Sequence, residues 1–246
     1  MQNSVEPVTA SALRADERIA DTIKGLNYLD DRLTPLLAPV QVADAETDLP
    51  PSQQEVVDRI LLHLEQATAA NRRPVIQLLG PDPASKQLVA WHVTAALGLK
   101  LYRLPAELLP RRALDLDGLA RLWQRESNLS PVALYLEAKE DGADGPSEGL
   151  TSPLGRFLAR SGGLFFLDTR DVRPELGQLT LGADIEKPSP AEQQEAWAAA
   201  VSSVAIDSPA LLTGQFNLGL ADIQEVAQRV LADPSPADST LDARLW

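Results

Sequence analysis

The sequence predicts an α/β fold, a parallel five-stranded sheet with helices on both faces, flanked by an N-terminal helical segment and a small C-terminal helical unit. Three observations predict it. Short apolar runs at residues 75–79, 100–104, 132–136, 164–167 and 178–182 are each bounded by Gly, Pro or polar residues, as buried strands are. Stretches with helical spacing lie between them, near 84–97, 116–126 and 153–160. Strands alternating with helices of that length require crossover connections, which make the sheet parallel and cover both its faces. With 246 residues, 44% of them hydrophobic, the chain can bury a sizeable core.

Taken in order, residues 1–10 have a disordered composition. Leu13, Ile19, Ile23, Leu26, Leu29 and Leu33 then recur at steps of three and four, which predicts one amphipathic helix ended by Thr34-Pro35. Residues 40–51 read as a polar, acidic linker, so that 1–50 forms a unit of its own before an α/β domain over 51–188. Ser52-Gln-Gln-Glu55 is a capping box, and Val56, Val57, Ile60, Leu61 and Leu64 carry its helix to about residue 70.

The stretch from Val75 to Trp91 is an apolar run that breaks at Gly80-Pro81 and resumes with helical spacing from Ala84: strand, tight loop, helix. Gly80 and Lys86 have the separation of G-x-x-x-x-G-K-[ST], in which loop amides wrap a phosphate, the Lys reaches its oxygens and a hydroxyl holds magnesium. Ser85 replaces the second Gly and Gln87 the hydroxyl residue. Asp82 adds negative charge to an anion-binding concavity, and Pro83 has no amide hydrogen to offer. The stretch has the architecture of a P-loop with half its chemistry. It also reads as an ordinary turn with Lys86 solvated, although a cation in a first helical turn opposes the helix dipole.

A net charge of −13 argues against nucleic acid or an anionic membrane as partner, since Arg72-Arg73 and Arg111-Arg112 are too short to form basic patches. Without cysteine there is no thiolate nucleophile or zinc–thiolate site, and His63 and His92 stand isolated on helix faces. No apolar stretch approaches a membrane span and no signal-peptide core opens the chain, so a cytoplasmic location is expected. Residues 139–149, acidic and Gly-rich, read as a surface loop. Ser189-Pro-Ala-Glu192 forms a second capping box that opens a helix through residue 203. Helical stretches at 209–213 and 220–231 complete a unit over 189–232, and 233–246 is linker-like, with a terminal Trp that suggests a following domain.

Over roughly residues 52–232 this order of elements resembles the AAA+ ATPase module, a P-loop NTPase with a small helical lid. The resemblance implies ATP or ADP and magnesium as ligands, with Gly80, Pro81, Ser85, Lys86, Gln87 and Asp168 as a vestigial nucleotide site. Val132-Ala-Leu-Tyr-Leu-Glu-Ala138 stands where such modules carry the Walker B pair, so Glu137 takes the place of the metal carboxylate and Ala138 that of the catalytic base. Asp168, in Phe165-Phe-Leu-Asp-Thr169, takes the place of a sensor of the terminal phosphate, where a carboxylate is poorly suited. Arg170 and Arg173 are candidate remnants of trans-acting arginines, while Arg229 lies two turns into the lid helix, away from the usual position.

The phrases Gly25-Leu-Asn-Tyr-Leu-Asp-Asp-Arg-Leu-Thr-Pro-Leu-Leu37 and Phe216-Asn-Leu-Gly-Leu-Ala-Asp-Ile-Gln-Glu-Val-Ala227 look like the first half of bacterial tandem AAA+ ATPases, some of which accompany contractile injection systems. Three functions stay open: a catalytically silent module that assembles or regulates a ring through self-association or a following AAA+ domain, a slowly hydrolysing ATP-binding enzyme, or a nucleotide-free scaffold recruiting a protein through its N-terminal helix or acidic loop.

Overall fold

A computed structural model of the chain describes residues 17–26, 28–41, 49–69, 74–138, 152–174, 176, 179–200, 213–214 and 216–232. Six strands form one sheet: β1 (Ala38–Pro39), β2 (Val75–Leu79), β3 (Lys100–Pro105), β4 (Val132–Glu137), β5 (Leu164–Asp168) and β6 (Thr180–Asp184). Their spatial order is β1-β3-β4-β5-β2-β6. The five expected strands are present and parallel, the last shifted two residues along the chain from 178–182. The sixth, β1, pairs antiparallel with β3 through Ala38↔Arg103 and Pro39↔Tyr102. It falls between the expected helix end at Thr34-Pro35 and the expected linker from residue 40, where no element is expected, because two residues are too few to show alternation.

The helices are α1 (Glu17–Ile23), α2 (Pro51–Ala69), α3 (Pro83–Ala96), α4 (Ala113–Leu129), α5 (Pro153–Arg160), α6 (Pro190–Ala200) and α7 (Leu220–Ala232). Although the strands read as continuous apolar runs, alternate residues serve different faces. Val75, Leu134, Leu136, Phe165 and Leu167 pack with Leu116 and Trp123 of α4 and Phe157 and Leu158 of α5. On the opposite face Ile76, Leu78, Ala133, Tyr135 and Phe166 pack with Val57 and Ile60 of α2 and Val89 and Val93 of α3. A third, small cluster of Trp197, Ile223 and Ala227 joins α6 to α7.

Three local expectations are corrected. The N-terminal helix does not run to Thr34. It stops at Gly25, whose φ of 83° accompanies bonds from Gly25 N to Thr22 O (3.0 Å) and Leu26 N to Asp21 O (2.9 Å), the paired closure of a Schellman motif. The chain then turns, and Leu33 and Leu37 enter the main core. Ser52 does not cap α2, which starts one residue earlier; its hydroxyl bonds Glu192 instead, at 2.9 Å. The helix at α4 is longer than 116–126. The second capping box does form: Ser189 N donates to Glu192 Oε2 at 2.7 Å and Glu192 N to Ser189 Oγ at 3.4 Å. Expectations for 1–10, 139–149, 201–212 and 233–246 fall outside the described residues, among which no helix is long and apolar enough to cross a membrane.

Candidate functional site

The site sits at the carboxyl ends of β2 and β5, where an open parallel sheet presents its ligand crevice. β2 is followed by Gly80 with φ of 121°, and a Cβ there would lie 2.3 Å from Ile185 O. No other residue fits without moving the backbone. The loop then holds two prolines, so neither Pro81 nor Pro83 has an amide to give a phosphate. Three further amides of the loop are spent inside the protein. Gly80 N reaches Arg170 O at 3.4 Å, Ala84 N donates to Asp82 Oδ1 at 3.1 Å, and Lys86 N to Asp82 O at 3.2 Å.

Asp82 is the N-cap of α3, with Pro83 at the first helical position. Its Oδ2 accepts from Ser85 Oγ at 2.8 Å, and Ser85 Oγ in turn accepts from Gln53 Nε2 of α2 at 3.0 Å. A helix N-terminus favours an anion, and here the chain's own carboxylate occupies it. The C-terminal helical unit closes on the same group: a Cβ on Gly219 would lie 3.0 Å from Asp82 Oδ2.

Lys86 is 3% exposed and points back under the loop. Its Nζ donates to Gly80 O at 2.8 Å and to Thr169 O at 3.2 Å, and forms an ion pair with Asp168 Oδ1. The other Asp168 oxygen accepts from Tyr135 Oη at 3.0 Å. Burial, reinforced by the Asp168 charge, pushes the Tyr135 phenol far above its usual range, so it remains a donor at any working pH. All three ammonium hydrogens have acceptors within the chain.

The structure therefore gathers Gly80, Pro81, Ser85, Lys86 and Asp168 into one cluster. Gln87 lies half-buried one residue further along α3. Glu137 is level with Asp168 in the β4–β5 register, but pairs with Arg103 at 3.6 Å. Ala138 is buried, and its N donates to Asp168 O at 3.1 Å. Among the described residues no group of three His, Asp or Glu could hold a metal ion. His63 Nδ1 lies 2.7 Å from Arg59 O, and the His92 ring meets Trp91 edge to face.

The backbone of Arg173 is locked to the Gln77 side chain at both ends, N to Oε1 at 2.7 Å and O from Nε2 at 2.9 Å. Arg229 pairs on the surface with Glu225. Sequence reasoning missed Tyr135, Gln53 and Thr169. The available signal was a phenol in an aliphatic strand, two residues before Glu137 and so on the same face of β4.

A family model described as the contractile injection system ATPase helical domain matches residues 189–246. No curated protein matches the chain. The matched stretch includes α6, α7 and Gly219, the unit that closes on Asp82, and it supports an ATPase associated with contractile injection systems.

Proposed function

We propose that this chain is a catalytically silent AAA+-like module that supports the assembly or regulation of a larger ATPase ring and binds nucleotide weakly or not at all. The observation that carries this reading is the Lys86 ammonium, buried and fully engaged by Gly80 O, Thr169 O and Asp168. A phosphate arriving at this loop meets two carboxylates, Asp82 and Asp168, and a lysine already neutralised by one of them. It finds no amide at positions 81 and 83. Phosphoryl transfer depends on positioning and on stabilising the charge that develops on the phosphate. Asp168 repels that charge, Gln87 offers magnesium no hydroxyl, and Ala138 cannot orient water. The likeness of residues 189–246 to an ATPase helical domain is consistent with a role beside active ATPase subunits.

Calorimetric titration with Mg-ATP tests the binding half of the proposal, with no saturable heat expected at micromolar concentrations. Phosphate release by the purified chain, followed over a range of protein concentrations, tests the other half. Turnover that rises as subunits assemble and disappears in Lys86→Ala would replace the silent module with an enzyme.

A further inference from the structure

β6 is the last strand of the sheet, and its outer edge has no partner among the described residues. The ladder with β2 settles which of its groups face that edge. Val75 N donates to Leu179 O at 2.9 Å and Ile185 N to Leu79 O at 2.8 Å, so by alternation residues 179, 181, 183 and 185 bond β2. Thr180, Gly182 and Asp184 therefore turn their N–H and C=O groups outward, and all three are exposed. The register from Thr180 to Asp184 runs without a bulge, and the strand holds neither Lys nor Pro. Apart from the Asp184 charge at its end, none of the usual devices blunts this edge. The α2 side is open as well, since Arg59, Ile60, His63 and residues 181–184 line a groove of about 290 Å³ between helix and strand. A bare row of N–H and C=O groups of this kind takes extended backbone.

We propose that this edge pairs with the same edge of a second copy, antiparallel about a two-fold axis at Gly182, so that two sheets join into one. The order of the outward groups fits that occupant. Gly182 is the middle one of the three, so the two-fold sets it against its own copy and sets Thr180 against Asp184 of the other, each as a hydrogen-bonded pair. Every outward N–H of one copy then meets an outward C=O of the second, with none left over. On the α2 side Leu181 lies beside Ala183 of the second copy, apolar against apolar. On the other face the Thr180 hydroxyl meets the Asp184 carboxylate, and the strand's single charge is kept from its own kind. The two Asp184 residues end roughly 13 Å apart, four residues at about 3.3 Å each, which exceeds the screening length of about 10 Å at 0.1 M salt. A parallel neighbour in the same register would place Asp184 beside Asp184. The pairing uses the side of β6 turned away from β2 and stands whether or not the Gly80 loop binds nucleotide.

Sedimentation equilibrium of the full chain at about 0.15 M salt reads the mass, expected to be twice 26.5 kDa at about 100 µM protein. Gly182→Pro removes an outward N–H and keeps the bonds to β2, a position at which an edge strand tolerates proline. It deletes the two hydrogen bonds at the two-fold and should raise the dissociation constant at least about tenfold. Thr180 is exposed, so its substitutions leave the fold alone and test the register independently. Thr180→Asp sets like charges opposite each other at both ends and should weaken the dimer about threefold, whereas Thr180→Lys should tighten it by a similar factor. Residue-resolved amide exchange reads the edge directly: Thr180, Gly182 and Asp184 should exchange fast in dilute protein and slowly in concentrated protein, with Leu181 and Ala183 protected in both. A monomer at every concentration, a dimer indifferent to Gly182→Pro, Thr180→Asp and Thr180→Lys acting in the same direction, or outward amides protected at every dilution overturns the proposal.

Discussion

Glu192 of α6 accepts hydrogen bonds from both Ser52 N, at 2.8 Å, and Ser52 Oγ, at 2.9 Å, and so reaches the first turn of α2 from a helix 140 residues away in sequence. The same carboxylate closes its own capping box with Ser189. One acidic side chain thus serves the N-termini of two helices and ties the C-terminal helical unit to the α/β body.

Removing that charge should loosen the helical unit without unfolding the sheet. Burial raises the Glu192 pKa, but the hydrogen bonds from Ser52 and Ser189 outweigh it and hold the group below its ordinary 4.5. A depressed carboxylate contributes stability above its unfolded pKa and loses it as pH falls through the folded value. Protection of the α6 amides, taken relative to their intrinsic exchange rate at each pH, should therefore fall as pH drops below about 4.5 in wild type. In Glu192→Gln it should already be low at neutral pH. Equal protection in wild type and variant at pH 7 would show that the contact holds nothing.

Lys86 and Asp168 are expected to matter for stability more than for ligand binding. Deleting one member of a buried pair leaves the other charge uncompensated, at a cost of roughly 3–5 kcal/mol. Lys86→Met and Asp168→Asn should each fall in that range by urea unfolding, while the double variant costs much less than their sum. Additive losses would mean that the two side chains do not act as a pair.

Tyr135→Phe should be milder. It removes the donor to Asp168 Oδ2 and leaves Lys86 in place, for a loss of about 1–3 kcal/mol. A neutral or stabilising result would assign that oxygen to solvent.

Gly80→Ala should be among the most damaging small substitutions in the chain, because its Cβ would press on Ile185 O and its φ of 121° is adopted rarely by any other residue. The strained backbone alone costs about 1–3 kcal/mol, and the clash adds to it. Gly98→Ala, with φ of 67° and open space around the added carbon, isolates the backbone contribution. Equal losses at the two positions would leave the Ile185 contact without weight.

Asp30 should make the chain acid-sensitive at the N-terminal strap. Hydrogen bonds from Arg32, then from Arg125 of α4, hold its carboxylate well below the usual range despite burial. Its contribution is complete at neutral pH and declines once acid begins to protonate the unfolded state, below about pH 4. Asp30→Asn should lower the thermal midpoint at pH 7 and converge with wild type in strong acid. Parallel pH profiles would exclude this linkage.

The sequence by itself determined the class of the fold, because apolar runs such as Val75–Leu79 and Leu164–Asp168 are local signals that need no partner to be read. It also located the loop from Gly80 to Lys86, whose spacing is fixed by the chain, and the capping box at Ser189. Tertiary structure decided the partners. Nothing near Lys86 in sequence announces Asp168, 82 positions later, and only the pairing of β2 with β5 brings that carboxylate beneath the loop. Ser52 has the residues of a capping box but bonds Glu192, since a hydroxyl takes whichever partner the packing places within reach. The periodicity from Ile19 to Leu33 predicts a single buried face. Gly25 breaks it in two: Leu33 enters the core, whereas the first half buries Arg18 against the Glu126 carboxylate and leaves Ile19 and Ile23 at the surface, because an interior carboxylate needs a partner and single exposed apolar side chains are tolerated.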